Sequence, residues 1–238
     1  MDYLHLESIV SKPRLDRYAK ATHASKMEAK RLYRINLRAS QAFYPLLSIF
    51  EVSLRNAVYN AIADYFDDSD WILNQRRGFM SDPLLSRSKF HLRGKVNASI
   101  KKLRQQQKEI YAARILADQS LGFWIALFDA HHHRLLKGAT MRTFPHKPAG
   151  LKRQQVRLRL AWIRDFRNRI YHNEPICFHQ NRIDFREAQK VHNAIYEVLG
   201  WLDADLPDYA SYFDAIEGKI GSYGQREAVV ETERLAHP

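Results

Sequence analysis

At 238 residues, 45% hydrophobic and 12% aromatic, with nine glycines and eight prolines, the chain has the material for a folded core. Turn-forming residues are too few for an all-β design. Lys+Arg exceed Asp+Glu by 38 − 26 = 12 and the sequence pI is about 9.8, which points to a polyanionic partner, a generally basic soluble protein being the plainer reading.

Cys177 is the single cysteine, so an intrachain disulfide and a cysteine-rich zinc site are excluded, as suits a reducing compartment. The first residues show no basic-then-apolar signal sequence, and no apolar run approaches the length of a membrane span. The expectation is a cytoplasmic, soluble chain with no membrane partner.

In chain order, Ser11 with Pro13 in the next turn predicts a helix start, broken by 22–25. Ser25-Lys-Met-Glu28 reads as a capping box that opens a long helix, with Leu32, Ile35, Ala39, Ala42 and Phe43 on its apolar face. Pro45 should kink or divide it, after which Leu47, Phe50, Leu54, Val58, Ile62 and Phe66 continue the pattern. Glu51 and Arg55 stand four apart, close enough to pair. A polar turn at 67–70 ends the helix, and 71–83 reads as irregular.

Residues 86–108 read as a basic helix that includes Lys101 and Lys102, either a solvated surface or a nucleic-acid-facing one. Ser120 is placed to cap a short helix over 121–128, apolar all round and therefore buried. His131, His132 and His133 point in different directions on a helix and make a poor metal cage, so no metal or cofactor is expected. A loop at 144–150 leads into a helix over 151–172, with Leu158, Trp162, Ile163, Phe166 and Ile170 as its packing stripe. After a brief extended piece at 176–179, helices over 185–202 and 207–220 complete one all-α domain spanning 1–238, its tail from 221 loosely held.

The informative stretch is Arg164-Asp-Phe-Arg-Asn-Arg-Ile-Tyr-His-Asn-Glu-Pro175. Pro175 disfavours helical geometry at Glu174, so the helix should end near 171–173 and leave His172 at its C-terminus. There the unpaired carbonyls favour imidazolium, beside the fixed charges of Arg167 and Arg169. Five residues rotate by roughly 500° with a rise of about 7.5 Å, so Arg167 and His172 project about 140° apart. Convergence on one phosphate therefore needs a loosened helix end, a second copy of the chain across a two-fold axis, or both. Tyr171 reads as a core-packing residue.

Arg167-Asn168-x-x-x-His172 resembles the R-N-x-x-x-H signature of the HEPN superfamily of all-helical ribonucleases. The chain more narrowly resembles the Abi-like (AbiD/AbiF-type) abortive-infection proteins of bacteria. Three ordered segments carry that resemblance: Leu46-Leu-Ser-Ile-Phe-Glu-Val-Ser-Leu-Arg-Asn56, Leu121-Gly-Phe-Trp-Ile-Ala-Leu-Phe128, and 166–174, within a match over roughly 25–205.

The resemblance implies a HEPN-like helical bundle with additional helices, dimeric around the motif, and a metal-independent endoribonuclease leaving 2′,3′-cyclic phosphate ends. It implies catalytic roles for Arg167, Asn168 and His172. Glu51 would hold Arg167 or His172 in place, the plainer reading being an intrahelical pair with Arg55. Asn56 matches the same segment as Glu51 and Arg55. Arginine suits the developing phosphate charge and histidine the proton transfers. Arg55, Asn56, Lys101, Lys102, Arg153, Arg157, Arg164 and Arg169 are the candidate RNA contacts. The competing readings are a non-catalytic protein holding a structured RNA, and an interaction scaffold whose basic surface is incidental.

Overall fold

The structure is a computed structural model, and it describes residues 1–179 and 182–220. The fold is all-α, with one minimal antiparallel hairpin, Phe178–His179 with Arg182–Ile183. No described helix is long and apolar enough to cross a membrane. The predicted tail from 221 lies outside the described residues.

The chain divides into two compact units. Among the described residues, unit 1 comprises Met1–Leu47, Asp165–Ile195 and 209–220, and unit 2 comprises Ser48–Arg164 and Tyr196–Asp208. The divisions fall inside helices rather than in a linker.

Unit 1 begins with α1 (Tyr3–Val10), which the sequence reading missed, and α2 (Lys12–Ala21). The side chain of Asp2 caps α1 by accepting from the His5 amide at 2.8 Å. Ser11 makes no side-chain cap bond for α2; it sits at φ 78 and serves as the joint between the two helices. The box at Ser25 is half formed. Its Oγ accepts from the Glu28 amide at 3.4 Å, while the Glu28 carboxylate turns to Arg31.

α3 (Lys26–Phe66) runs 41 residues without division, although Pro45 lies inside it. Proline forfeits one bond to the carbonyl four residues back. Pro45 and Gln41 are both exposed, so water can take that bond, while Phe43, Leu46, Leu47 and Phe50 are buried around it. Within unit 1, Ile35 and Ala42 are only half-buried. Asn36 is instead buried on the inner face of α3, where its Oδ1 accepts from the Ile176 amide at 2.8 Å. The Tyr18 ring meets those of Tyr33 and Phe178, and Phe43 meets Phe166. Desolvation pushes the Tyr18 hydroxyl and the Cys177 thiol upward, the thiol to about 12.

Unit 2 holds all four tryptophans: Trp71, Trp124 and Trp201 are buried and Trp162 half-buried. The stretch expected to be irregular contains α4 (Trp71–Asn74) and 3₁₀ turns at Phe79–Ser81 and Pro83–Ser88. α5 (His91–Gln105) starts later than predicted, because Lys89 and Phe90 both take left-handed backbone and close the preceding turn. α6 (Ala112–Asp118), α7 (Leu121–Ala126) and α8 (Ala130–Leu135) follow. α7 is buried at Leu121, Phe123, Trp124 and Ile125; Ser120 occupies its cap position without making a side-chain cap bond.

α9 (Arg153–Tyr171) begins in unit 2 and ends in unit 1. Its buried stripe is Val156, Leu160, Ile163, Phe166 and Ile170, spaced four, three, three and four. Leu158, expected inside, is 59% exposed. In α10 (Arg186–Leu202) the inward residues Ala188, Val191, Ile195, Val198 and Leu199 are buried as the periodicity predicts. α11 (Leu206–Ser211) is shorter than expected, and a separate helical turn begins at 216.

Candidate functional site

The C-terminal turn of α9 lies in unit 1 and closes with a Schellman arrangement. The Glu174 amide donates to the Arg169 carbonyl at 2.8 Å and the Asn173 amide to the Ile170 carbonyl at 3.0 Å. Asn173 takes the required left-handed conformation, φ 56. His172 is thereby the C-cap residue: exposed, with its amide still donating to the Asn168 carbonyl at 2.9 Å. Arg14 of α2 donates to the Asn173 carbonyl at 3.0 Å and ties the cap down.

Arg167 is half-buried, and its guanidinium lies 3.8 Å from the centroid of the Tyr171 ring. Nη1 of Arg167 also donates to Asn168 Oδ1 at 3.3 Å. Tyr171 is 41% exposed rather than a core residue, and the Tyr44 ring lies 5.2 Å from its own. The stacking joins two side chains four residues apart on one face of the helix. The i, i+4 spacing of Arg167 and Tyr171 was the available sequence signal for this pairing.

Arg169 is committed to the architecture of the same turn. It donates to the Pro175 carbonyl and pairs with Glu187 of α10, both at 2.6 Å. That clamp fixes the chain as it leaves the motif.

The remaining predicted residues belong to unit 2. Glu51, Arg55 and Asn56 occupy the middle of α3; Arg55 Nε donates to Asn56 Oδ1 at 3.4 Å. Lys101 and Lys102 are exposed on α5. Lys102 pairs with Asp118, whose carboxyl is kept below its usual range by hydrogen bonds from Lys102 first and Ser99 second. Arg153 donates to the Phe128 carbonyl at 2.7 Å, and Arg157 Nε to Asp129 Oδ1 at 2.8 Å.

Arg157 and Arg164 come together in the wall of a cavity of about 450 Å³ that the sequence reading did not foresee. His91, Lys95, Ser120, Asp129 and His132 also line it. His132 is buried, and its Nδ1 lies 2.7 Å from the Ala126 carbonyl, which requires that nitrogen to carry the proton. Desolvation moves its pKa downward. Of its neighbours, His131 is exposed and contacts Arg134, while His133 Nδ1 lies 2.9 Å from Thr140 Oγ1.

Comparison with protein-family models gives no match, and no curated protein or solved structure matches the chain.

Proposed function

We propose that the chain is a metal-independent endoribonuclease of HEPN type, acting in phage defence or as a toxin in a reducing cytoplasm. The observation that carries the reading is the end of α9: an exposed histidine at the C-cap, an arginine stacked on Tyr171 in the same segment, and a cap held by Arg14. Imidazole exchanges protons near neutral pH, and guanidinium matches phosphate oxygens without losing its charge.

In the proposed reaction one His172 takes the proton of an RNA 2′-hydroxyl, whose oxygen attacks the adjacent phosphorus. Arg167 balances the charge that gathers on the phosphoryl oxygens, with Asn168 holding the guanidinium. The 5′-oxygen leaves with a proton, giving a 2′,3′-cyclic phosphate and a 5′-hydroxyl. Two proton-transfer groups serve these two steps best, which is the reason to propose a homodimer with one His172 from each copy. The net charge of +12 supplies attraction for the RNA.

The test is cleavage of a mixed RNA pool in EDTA by the purified protein, beside His172→Ala. Cleavage by the unaltered chain alone, with cyclic-phosphate ends, is the expected result. Equal cutting by both removes His172 from the chemistry. Tight RNA binding by both without cutting supports a protein that holds RNA and does not cleave it.

A further inference from the structure

We propose that the cavity in unit 2 is a binding site for a phosphomonoester, either a free nucleotide or the phosphorylated end of an RNA. The inference does not rest on the ribonuclease reading, and none of the residues that line the cavity belongs to the Arg167–His172 turn.

Nitrogen-bearing side chains reach the cavity from two helices, each in a register that presents two at once. His91 and Lys95 are four apart on α5, and Arg157 and Arg164 seven apart on α9, so each pair shares a helix face. Among its lining residues are the basic side chains Lys95, Arg157 and Arg164, and one carboxylate, Asp129, which pairs with Arg157. A monoester carries about −1.5 to −2 near neutral pH with three acceptor oxygens, whereas an internal phosphodiester carries one charge. A wall rich in basic side chains suits the more highly charged monoester.

Asp129 holds Arg157 through its Nε and so fixes the guanidinium against the wall. Arg164 passes beside Gly122, where an added Cβ would lie 4.0 Å from the arginine Cδ and 3.7 Å from Ser120 Oγ. Ser120 adds a hydroxyl that makes no cap bond to α7.

His132 gives a second, independent indication. It is 3% exposed, it lines the cavity, and its Nε2 is buried with no hydrogen-bond partner among the described residues. With Nδ1 committed to the Ala126 carbonyl, Nε2 is an acceptor that lacks a donor. A monoester can supply that donor as its own O–H, or can stabilise a proton taken up by the ring; a diester has no O–H to give. At about 450 Å³ the cavity falls in the range of small-molecule sites, roughly 300–1,000 Å³, so a bare phosphate would leave most of it unfilled. Ile125 offers an apolar wall to the sugar or base.

The experiment uses the full chain carrying His172→Ala, so that cleavage cannot consume the RNA probe. Uridine, uridine 5′-monophosphate, and one oligoribonucleotide made with either a 5′-phosphate or a 5′-hydroxyl are titrated by calorimetry. The His132 imidazole is followed in parallel by nitrogen NMR. The expected result is binding of the monophosphate and not of uridine, with movement of the His132 resonance. His91→Gln combined with Lys95→Gln is expected to weaken that binding by about tenfold or more, as loss of a charged contact does. A phosphorylated oligonucleotide that binds about tenfold tighter than the nucleotide identifies an RNA end as the ligand; one that binds no tighter identifies the free nucleotide. Equal affinity for uridine and uridine 5′-monophosphate overturns the proposal. So does unchanged affinity in the double variant, or a His132 resonance that stays in place, the last requiring no substitution in the cavity.

Discussion

His172 owes its exposure to the residue that follows it. Asn173 is in left-handed backbone, which asparagine tolerates and most side chains do not, and this turns the chain away after the last helical bond. Asn173→Ala should cost about 1 kcal/mol in a urea titration, and Asn173→Gly should be near neutral. At His132 the sign of the pH dependence is fixed by burial. Desolvation lowers its folded pKa, so as pH falls below about 6.5 the unfolded chain takes up a proton that the folded chain refuses. The stability present above that pH is then lost as pH falls toward the folded value. Urea midpoints at pH 7 and pH 5.5 should differ less in His132→Gln, which keeps a donor for the Ala126 carbonyl. Arg167, Asn168 and His172 could be named as candidates from the sequence because they fall within one six-residue span, 167–172, that resembles the R-N-x-x-x-H signature. His91, Lys95, Ser120 and His132 could not, since only tertiary packing brings them into one wall with Arg157 and Arg164.

Among the elements, α9 separates what periodicity predicts from what it does not. Phe166, Ile170 and Ile163 were legible, but the stripe runs back through Leu160 and Val156 rather than through Leu158. Both choices satisfy three- and four-residue spacing, and only the neighbours of the helix decide between them. Leu160→Ala should therefore cost about 2–5 kcal/mol in thermal or urea unfolding. Leu158→Ala should stay within about 0.5 kcal/mol. α3 shows the opposite limit: Pro45 is a strong local signal for division, yet the helix continues through it, because the bond it forfeits faces solvent. α1 was missed because its eight residues carry little periodic pattern, its one buried side chain being Tyr3.

At the scale of the molecule, the all-α class followed from composition and from long amphipathic stretches. The two-unit division was not legible, because its boundaries fall within helices rather than at glycine- or proline-rich joints. That division also distributes the chain's own spectroscopic and chemical reporters. Every tryptophan lies in unit 2, and the lone thiol, Cys177, is buried in unit 1 with burial pushing its pKa up to about 12. Indole emission thus reports on one unit, and the rate of labelling by a thiol reagent reports on the other, with no engineered label. Because α3, α9 and α10 each contribute residues to both units, the two signals should change at the same urea concentration. Emission that shifts while the thiol stays protected would instead mark two independently melting halves.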